Sequence, residues 1–351
     1  MKPEKLTSAL AERQVLVTGG AGFLGSEVVR QLSSLGAAVT VLDNLSSGKA
    51  SYVRGLPNVR LVKGDVCDRG TVGRVIAGHE LVVHLAALPF IPDSYYSPEE
   101  FFRVNTMGTV IVASSAARSE SISRVVHIST SEVYGTARYE PMDEAHPTTP
   151  HSTYAVSKLA ADRAVYAMYK EQDLPVVIIR PFNIYGPNVT QPYIVPEIAL
   201  QLLASKHAIS LGNVSSSRDF TFVRDTARGI ISALVADKVR GETINLGSGN
   251  AVTIRDLALL MAELLGRKVQ ITADPRRYRP YDVQRLVCNP RKAELLLRWR
   301  AITPLRAGLI GTIDWIRSNG VKFASPFRGW PASYYRNNHH LRKSRAGQVN
   351  Q

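Results

Sequence analysis

The chain has 351 residues, 45% of them hydrophobic and 21% charged, and 43 Lys and Arg against 29 Asp and Glu give it a formal net charge of +14. That composition is globular, and the length suits one large domain or two joined ones with ample core. No apolar run approaches the ~18 residues of a membrane span and the N-terminus has no apolar signal core, while Cys67 and Cys288 alone offer neither a disulfide framework nor a metal-ligand cluster. A cytoplasmic protein without a metal is expected.

The elements follow in a regular order. QVLVT (14–18) reads as a strand that runs into TGGAGFLG and a helix over 23–35. Further strands are expected at 37–43, 59–65, 80–86, 123–129 and 174–180. Each is a nearly continuous apolar run, as in parallel strands covered on both faces. Long helices are expected at 98–118 and 151–171. The alternation predicts an α/β fold, a Rossmann-type doubly wound parallel sheet. Beyond residue 181 the pattern loosens at Pro181, Pro187, Pro192 and Pro196, with helices expected at 195–205, 225–236, 254–265 and 304–318. The expected organisation is a cofactor-binding domain over 12–181, joined by later strands, and a smaller C-terminal substrate-binding lobe over 182–320. A basic tail covers 321–351. It holds Lys322, Arg328, Arg336, Arg342, Lys343 and Arg345 without an acid. Such a tail is either a solvated terminus, the plainer expectation, or a contact for nucleic acid or an anionic membrane.

Gly19, Gly22 and Gly25 are spaced G-x-x-G-x-x-G between a strand and a helix. Glycines there allow a tight turn and close approach to a pyrophosphate, and the helix opening at Phe23 and Leu24 points its N–H groups at the anion. A tight turn without a ligand is the alternative, which the strand–helix context disfavours. Asp43, followed by Asn44, ends the second strand about 20 residues on, where a carboxylate accepts the ribose hydroxyls and repels a ribose phosphate. NAD is therefore expected over NADP, although Lys49 lies nearby. Asp65 and Val66 end the third strand, where adenine would lie, and Asp65 reads equally well as a plain strand-end residue.

Tyr154 and Lys158 form Y-x-x-x-K within a helix, which places both on one face. An ammonium beside a phenol lowers its pKa from ~10 towards neutrality, so Tyr154 could remove a hydroxyl proton as hydride leaves the same carbon. Alone, the pair is equally an exposed helix pair.

TGGAGFLG, HLAA (84–87), VNTMGT (104–109), STSEVYG (129–135), YAVSK (154–158), RPFNIYGP (180–187) and RDFTFVRD (218–225) occur in this order. Together they resemble the extended short-chain dehydrogenases, the nucleotide-sugar epimerases and dehydratases, over roughly residues 12–318. The resemblance implies NAD as cofactor, with Leu85, Ala86, Ala87 and Asn105 beside it and Lys158 on the nicotinamide ribose. It implies a nucleotide-diphosphate sugar as substrate, oxidised at carbon 4 by Tyr154 and Lys158 while Thr130 holds the 4-hydroxyl. Ser131 would line the substrate site. Asn183 and Arg218 would grip the nucleotide diphosphate or its base, and the Arg279 of RPYD (279–282) the diphosphate, a task suited to the guanidinium fork. It also implies a homodimer joined by helices 98–118 and 151–171 as a four-helix bundle.

Glu132 separates the reactions. A 4-epimerase needs no base there. A 4,6-dehydratase needs a carboxylate to take the acidified carbon-5 proton as the 6-hydroxyl leaves. The Thr130-Ser131-Glu132 triplet resembles that of GDP-mannose 4,6-dehydratases. Where dTDP-glucose dehydratases have Asp as the presumed acid this chain has Ser131, so Glu132 is left to serve as base or as both acid and base. A 4,6-dehydratase is expected first and a 4-epimerase second. A UDP-glucuronate decarboxylase comes third, because those enzymes commonly carry Y-D-E-G-K rather than YAVSK. A catalytically inactive nucleotide- or nucleic-acid-binding relative is the remaining reading, against which Thr130, Tyr154 and Lys158 stand. Leu297-Arg298-Trp299-Arg300-Ala301 departs from the Leu-Gly-Trp-x-Pro of many relatives, which puts the local packing in question.

Overall fold

The computed structural model describes residues 3–205, 207–279 and 281–320, so the basic tail lies outside the described residues. The first strands are β1 (Gln14–Thr18), β2 (Ala38–Asp43), β3 (Val59–Lys63), β4 (Leu81–His84), β5 (Arg124–Ile128) and β6 (Val176–Pro181). Those that follow are β7 (Asn183–Tyr185), β8 (Ala208–Leu211), β9 (Ser217–Phe222), β10 (Thr243–Leu246), β11 (Ala251–Thr253), β12 (Gln270–Ala273) and β13 (Arg285–Leu286).

Seven strands form one parallel sheet in the order β10-β6-β5-β4-β1-β2-β3. The apolar runs follow from its two covered faces. Val15, Val17, Val39 and Val41 pack beneath the helices Phe23–Ser34 and Val223–Val235. Leu16, Leu42 and Val82 face the helices Thr109–Ala117 and Thr153–Gln172 on the other side. Chain order reverses between β1 and β4, which opens a crevice beyond their carboxyl ends.

Two local features differ from the sequence reading. The expected helix 98–118 is interrupted, with α-helical turns at Pro98–Phe101 and Thr109–Ala117 joined by a π-helical stretch over Phe102–Gly108. That stretch carries Asn105 to Leu88 and Ser157, and brings the Thr106 hydroxyl to the Ser157 carbonyl. π-Helical turns inside α-helices are rare and frequently lie at functional sites. A helix at Arg69–Ile76 was not anticipated, because two glycines weaken its pattern. Asp68 caps it, accepting from the Gly70 N–H at 2.9 Å.

The smaller lobe holds the sheet of β7, β9, β11 and β13 and the parallel pair β8–β12. The helices Ile194–Ala204, Ile254–Leu264 and Leu305–Asn319 close its core around Ile198, Leu257, Met261 and Leu309. β10 returns to the large sheet beside β6, so the chain interleaves the two layers. At the sequence departure, Arg298 takes the left-handed conformation (φ 49°) that ends its helix, the place a glycine would fill at less cost. Trp299 is nonetheless buried, and its indole donates to the Asp225 carbonyl at 2.7 Å.

Candidate active site

The glycine turn is held by backbone contact. Gly19 has φ +70°, and a Cβ there would sit 2.6 Å from the Ala86 nitrogen; a Cβ on Gly25 would sit 2.1 Å from the Gly19 oxygen. No side chain fits either position. The N–H groups opening the helix Phe23–Ser34 therefore face the crevice without obstruction. Asp43 reaches back to this turn. Its Oδ2 accepts from the Ala21 N–H at 3.0 Å and its Oδ1 from Leu45 at 2.8 Å. Burial raises the Asp43 carboxyl above its ordinary range, partly offset by those two N–H groups. Lys49 turns its ammonium over the Tyr52 ring, 5.6 Å from the centroid.

One continuous cleft of about 470 Å³ runs from this turn across the carboxyl ends of the strands into the smaller lobe. Gly19, Gly22, Phe23, Leu24, Gly25, Asp43 and Asn44 line one end, with Asp65, Val66, Leu85, Ala86 and Ala87 beside them. Thr130, Ser131, Glu132, Tyr154 and Lys158 line its middle, and Asn183, Arg218 and Arg279 the far part. Asn105 stands apart. It is fully buried behind the wall, where it pairs with both the N–H and the carbonyl of Leu88 and donates to Ser157. Its place makes it a brace for the loop after β4 rather than a cleft residue.

The residues in the middle come from three elements. β5 ends at Ile128, and Thr130 caps the short 3-10 turn Ser131–Tyr134 by accepting from the Glu132 N–H at 3.2 Å. The helix Thr153–Gln172, capped by Ser152, supplies Tyr154 and Lys158. Lys158 is buried and donates to the Ile128 carbonyl at 2.5 Å, and burial pulls it down to about 8. Burial pushes Tyr154 up to about 12; a hydrogen bond with Thr130 pulls it down and the charge of Glu132 pushes it up. The cationic lowering expected from Lys158 is not among the influences on the phenol; the ammonium is turned to the Ile128 carbonyl. Behind Lys158 lie the buried imidazoles of His84 and His127, stacked 5.6 Å apart. Burial and the lysine charge hold His84 near 3, so it is neutral and bridges the Thr18 and Thr109 hydroxyls.

Arg218 lies on β9 and donates to Asp282 at 3.2 Å, while Arg279 stands 3.9 Å from the same carboxylate. The charge of Glu132 acts on both arginines. Two buried acceptors on the cleft wall, Asn183 Oδ1 and Ser129 Oγ, have no protein partner. Unpaired buried polar atoms of this kind are costly unless a ligand or water completes them. Together with the glycine cradle and the Asp43 carboxylate, they fit a dinucleotide beside a second polar ligand.

Sequence reasoning missed several residues of the wall. Tyr193 stands between Phe23 and Phe90, with ring centroids 6.4 and 6.2 Å away. Glu197 and Arg277 form an ion pair at the far end near Asn213. They come from loops and helix ends of the smaller lobe, where no periodic pattern marks them. The prolines around Tyr193 were the one available signal.

A parallel sheet with a glycine turn at its switch point, and a Tyr–Lys pair beside it, define an extended short-chain dehydrogenase. Residues 16–310 match the model of the family described as GDP-mannose 4,6 dehydratase, and the chain belongs to that family. It is an enzyme of an NAD-dependent, nucleotide-sugar class. The dTDP-glucose 4,6-dehydratase of Streptomyces niveus is 34% identical over 319 residues, 87% of this chain and 93% of that protein. Epimerase Mth375 of Methanothermobacter thermautotrophicus superposes with a TM-score of 0.85 at 30% identity, over 91% of this chain and 96% of that one. DesIV, the dTDP-glucose 4,6-dehydratase of Streptomyces venezuelae with NAD and TYD bound, superposes with a TM-score of 0.80 at 32% identity, over 87% and 97%.

Proposed function

We propose that this chain is an NAD-dependent nucleotide-sugar 4,6-dehydratase. The observation that carries the reading is the place of Glu132. It shares the cleft with Tyr154 closely enough for its charge to act on the phenol, and Thr130 fixes the turn that bears it. NAD, held by the glycine turn and Asp43, would supply the hydride acceptor for carbon 4 and the donor for carbon 6. Thr130 and Tyr154 bind the 4-hydroxyl, and Tyr154 takes its proton. Lys158, anchored on Ile128, keeps a positive charge beside that proton transfer. Glu132 takes the proton from carbon 5, which the neighbouring ketone has made acidic. Arg218 and Arg279 hold the diphosphate, and Asn183 offers its unpaired oxygen to the same ligand. A 4-epimerase would leave Glu132 without work.

The same reading treats 12–181 as the cofactor-binding domain and 182–320 as the substrate lobe. It places the enzyme in the cytoplasm; no helix among the described residues is long and apolar enough to cross a membrane. It also pairs two copies of the chain. Phe102, Met107 and Val156, on the two helical segments expected to form a four-helix bundle, are 39%, 47% and 40% exposed, an apolar display that a second copy would cover.

The reading is tested by assaying UDP-, GDP-, dTDP- and CDP-hexoses with two variants. Tyr154→Phe should abolish all sugar chemistry. Glu132→Gln should still draw hydride from carbon 4, seen as absorbance of reduced cofactor, yet form the 4-keto-6-deoxy product ~100-fold more slowly. Full dehydration by Glu132→Gln would contradict it, as would an epimer or carbon dioxide as the product of the unmodified enzyme.

A further inference from the structure

Elimination across carbons 5 and 6 has two proton demands. A base takes the carbon-5 proton, and an acid must meet the oxygen leaving carbon 6, because hydroxide is a poor leaving group. Glu132 meets the first and thereafter holds that proton. The neighbouring groups are committed or, like the unpartnered Ser129 hydroxyl, too weakly acidic. Thr130 is engaged with Tyr154 and the Glu132 N–H, Lys158 with the Ile128 carbonyl, and the Ser131 hydroxyl, almost wholly buried, is too weak an acid. A further proton-bearing side chain shares the cleft with the reacting groups. The Tyr193 phenol lines the same cleft and is near enough to that of Tyr154 for the two to interact electrostatically. Its ring is wedged between Phe23 and Phe90 at 6.4 and 6.2 Å.

We propose that Tyr193 is the proton donor to the departing 6-hydroxyl, an inference that rests on the dehydratase reading. Burial raises its phenol above the ordinary range, so it enters the step protonated, as a donor must. The electrons balance. Glu132 takes the carbon-5 proton, that C–H pair becomes the new carbon–carbon double bond, and the C6–O bond breaks towards oxygen. The oxygen takes the Tyr193 proton and leaves as water. Glu132 later returns its proton to carbon 5. Over the whole turnover Tyr154 has gained one proton from the 4-hydroxyl and Tyr193 has lost one. A single transfer between the two phenols, direct or through a water, resets both, which gives their proximity a chemical purpose.

The experiment separates proton removal at carbon 5 from loss of water. Of dTDP-glucose, GDP-mannose, UDP-glucose and UDP-N-acetylglucosamine, the one turned over fastest is incubated in D₂O with each enzyme. Tyr193→Phe keeps the ring between Phe23 and Phe90 and removes only the hydroxyl. It should lower formation of the 4-keto-6-deoxy product ~100-fold while deuterium still enters carbon 5 of recovered substrate at about the unmodified rate of C–H cleavage. Glu132→Gln should lose that deuterium entry. Product formation within about twofold of the unmodified enzyme would overturn the proposal and leave Glu132 as both acid and base. Equal loss of exchange and product would also overturn it, reducing Tyr193 to shaping the site. If the unmodified enzyme yields an epimer and no 4-keto-6-deoxy sugar, the dehydratase reading itself fails and this assignment with it.

Discussion

Arg180 and Asp162 form an ion pair with 2.8 Å between Nε and Oδ2 and side chains 4% and 0% exposed. The pair joins β6 to the helix that bears Tyr154 and Lys158. Arg180 also donates to the Tyr134 hydroxyl at 3.0 Å and lies over its ring, and Tyr134 donates to Asn245 at 2.8 Å. The turn holding Glu132 is thereby tied to the catalytic helix through buried polar contacts. Burial alone would raise the Asp162 carboxyl, but the charges of Arg180 and Arg163 hold it below its ordinary range.

Asp162→Asn leaves the Arg180 charge buried and uncompensated. It should cost about 3–5 kcal/mol of stability, measured by urea unfolding at pH 7. Because the folded carboxyl is depressed, the stabilisation is present above the ordinary value of ~3.9 and is lost as pH falls through the lower folded value. The gap between the two proteins should therefore narrow below about pH 4. An unchanged gap in acid would contradict the assignment.

Lys158 contributes a cost rather than a stabilisation, and it titrates at alkaline pH. Its folded value of about 8 lies below the 10.5 of a free lysine, so keeping it charged in the folded state costs free energy. That cost is in full force below pH 8 and disappears as pH rises through 10.5, a swing on the order of 3 kcal/mol. Lys158→Met removes the titration. Thermal melts should show the unmodified protein gaining on the variant between pH 7 and pH 10, even as the variant loses all sugar chemistry.

Asp43 has two tasks, the ribose and the glycine turn. Asp43→Ala should weaken NAD binding ~10-fold or more by calorimetry and relax the preference over NADP. It should also lower stability by about 1–3 kcal/mol, because the Ala21 and Leu45 N–H groups lose their acceptor. Tighter binding of NADP than of NAD by the unmodified protein would contradict the role given to Asp43.

Assembly is tested on the exposed apolar residues. The double substitution Phe102→Asp, Met107→Glu should convert a dimer into a monomer by light scattering at micromolar concentration. The described fold buries neither residue, so the melting temperature of the isolated chain should change little. A monomeric unmodified protein would remove the four-helix bundle from the account.

Much of this architecture was legible in the sequence because it rests on local rules. Strands β1, β2, β4, β5 and β6 announce themselves as apolar runs, since burial on both faces leaves little room for polar alternation, whereas β3 at the sheet edge exposes Arg60 and Lys63. Gly19 and Gly25 are fixed by contacts no side chain survives, so their spacing is a reliable mark. The π-helical stretch at Phe102–Gly108 was not legible, because it answers to Leu88 and Ser157, partners distant in sequence. The sequence motif puts Asn105 beside the cofactor for the same reason: it is recognisable, but only the fold shows its amide spent on the Leu88 loop. Tyr193, Glu197 and Arg277 escape the sequence reading because the smaller lobe delivers them from a loop, a helix start and a short turn, where position is set in space rather than by period.

The central claim, that Glu132 makes this enzyme a dehydratase, is tested most directly by following one deuterium. A nucleotide hexose labelled at carbon 4 is converted by the unmodified enzyme and the product examined by NMR. The account predicts deuterium at carbon 6 of a 4-keto-6-deoxy sugar, which demands elimination between two hydride transfers to different carbons. Deuterium back at carbon 4 of an epimerised sugar would contradict it and leave the carboxylate of Glu132 without a catalytic role.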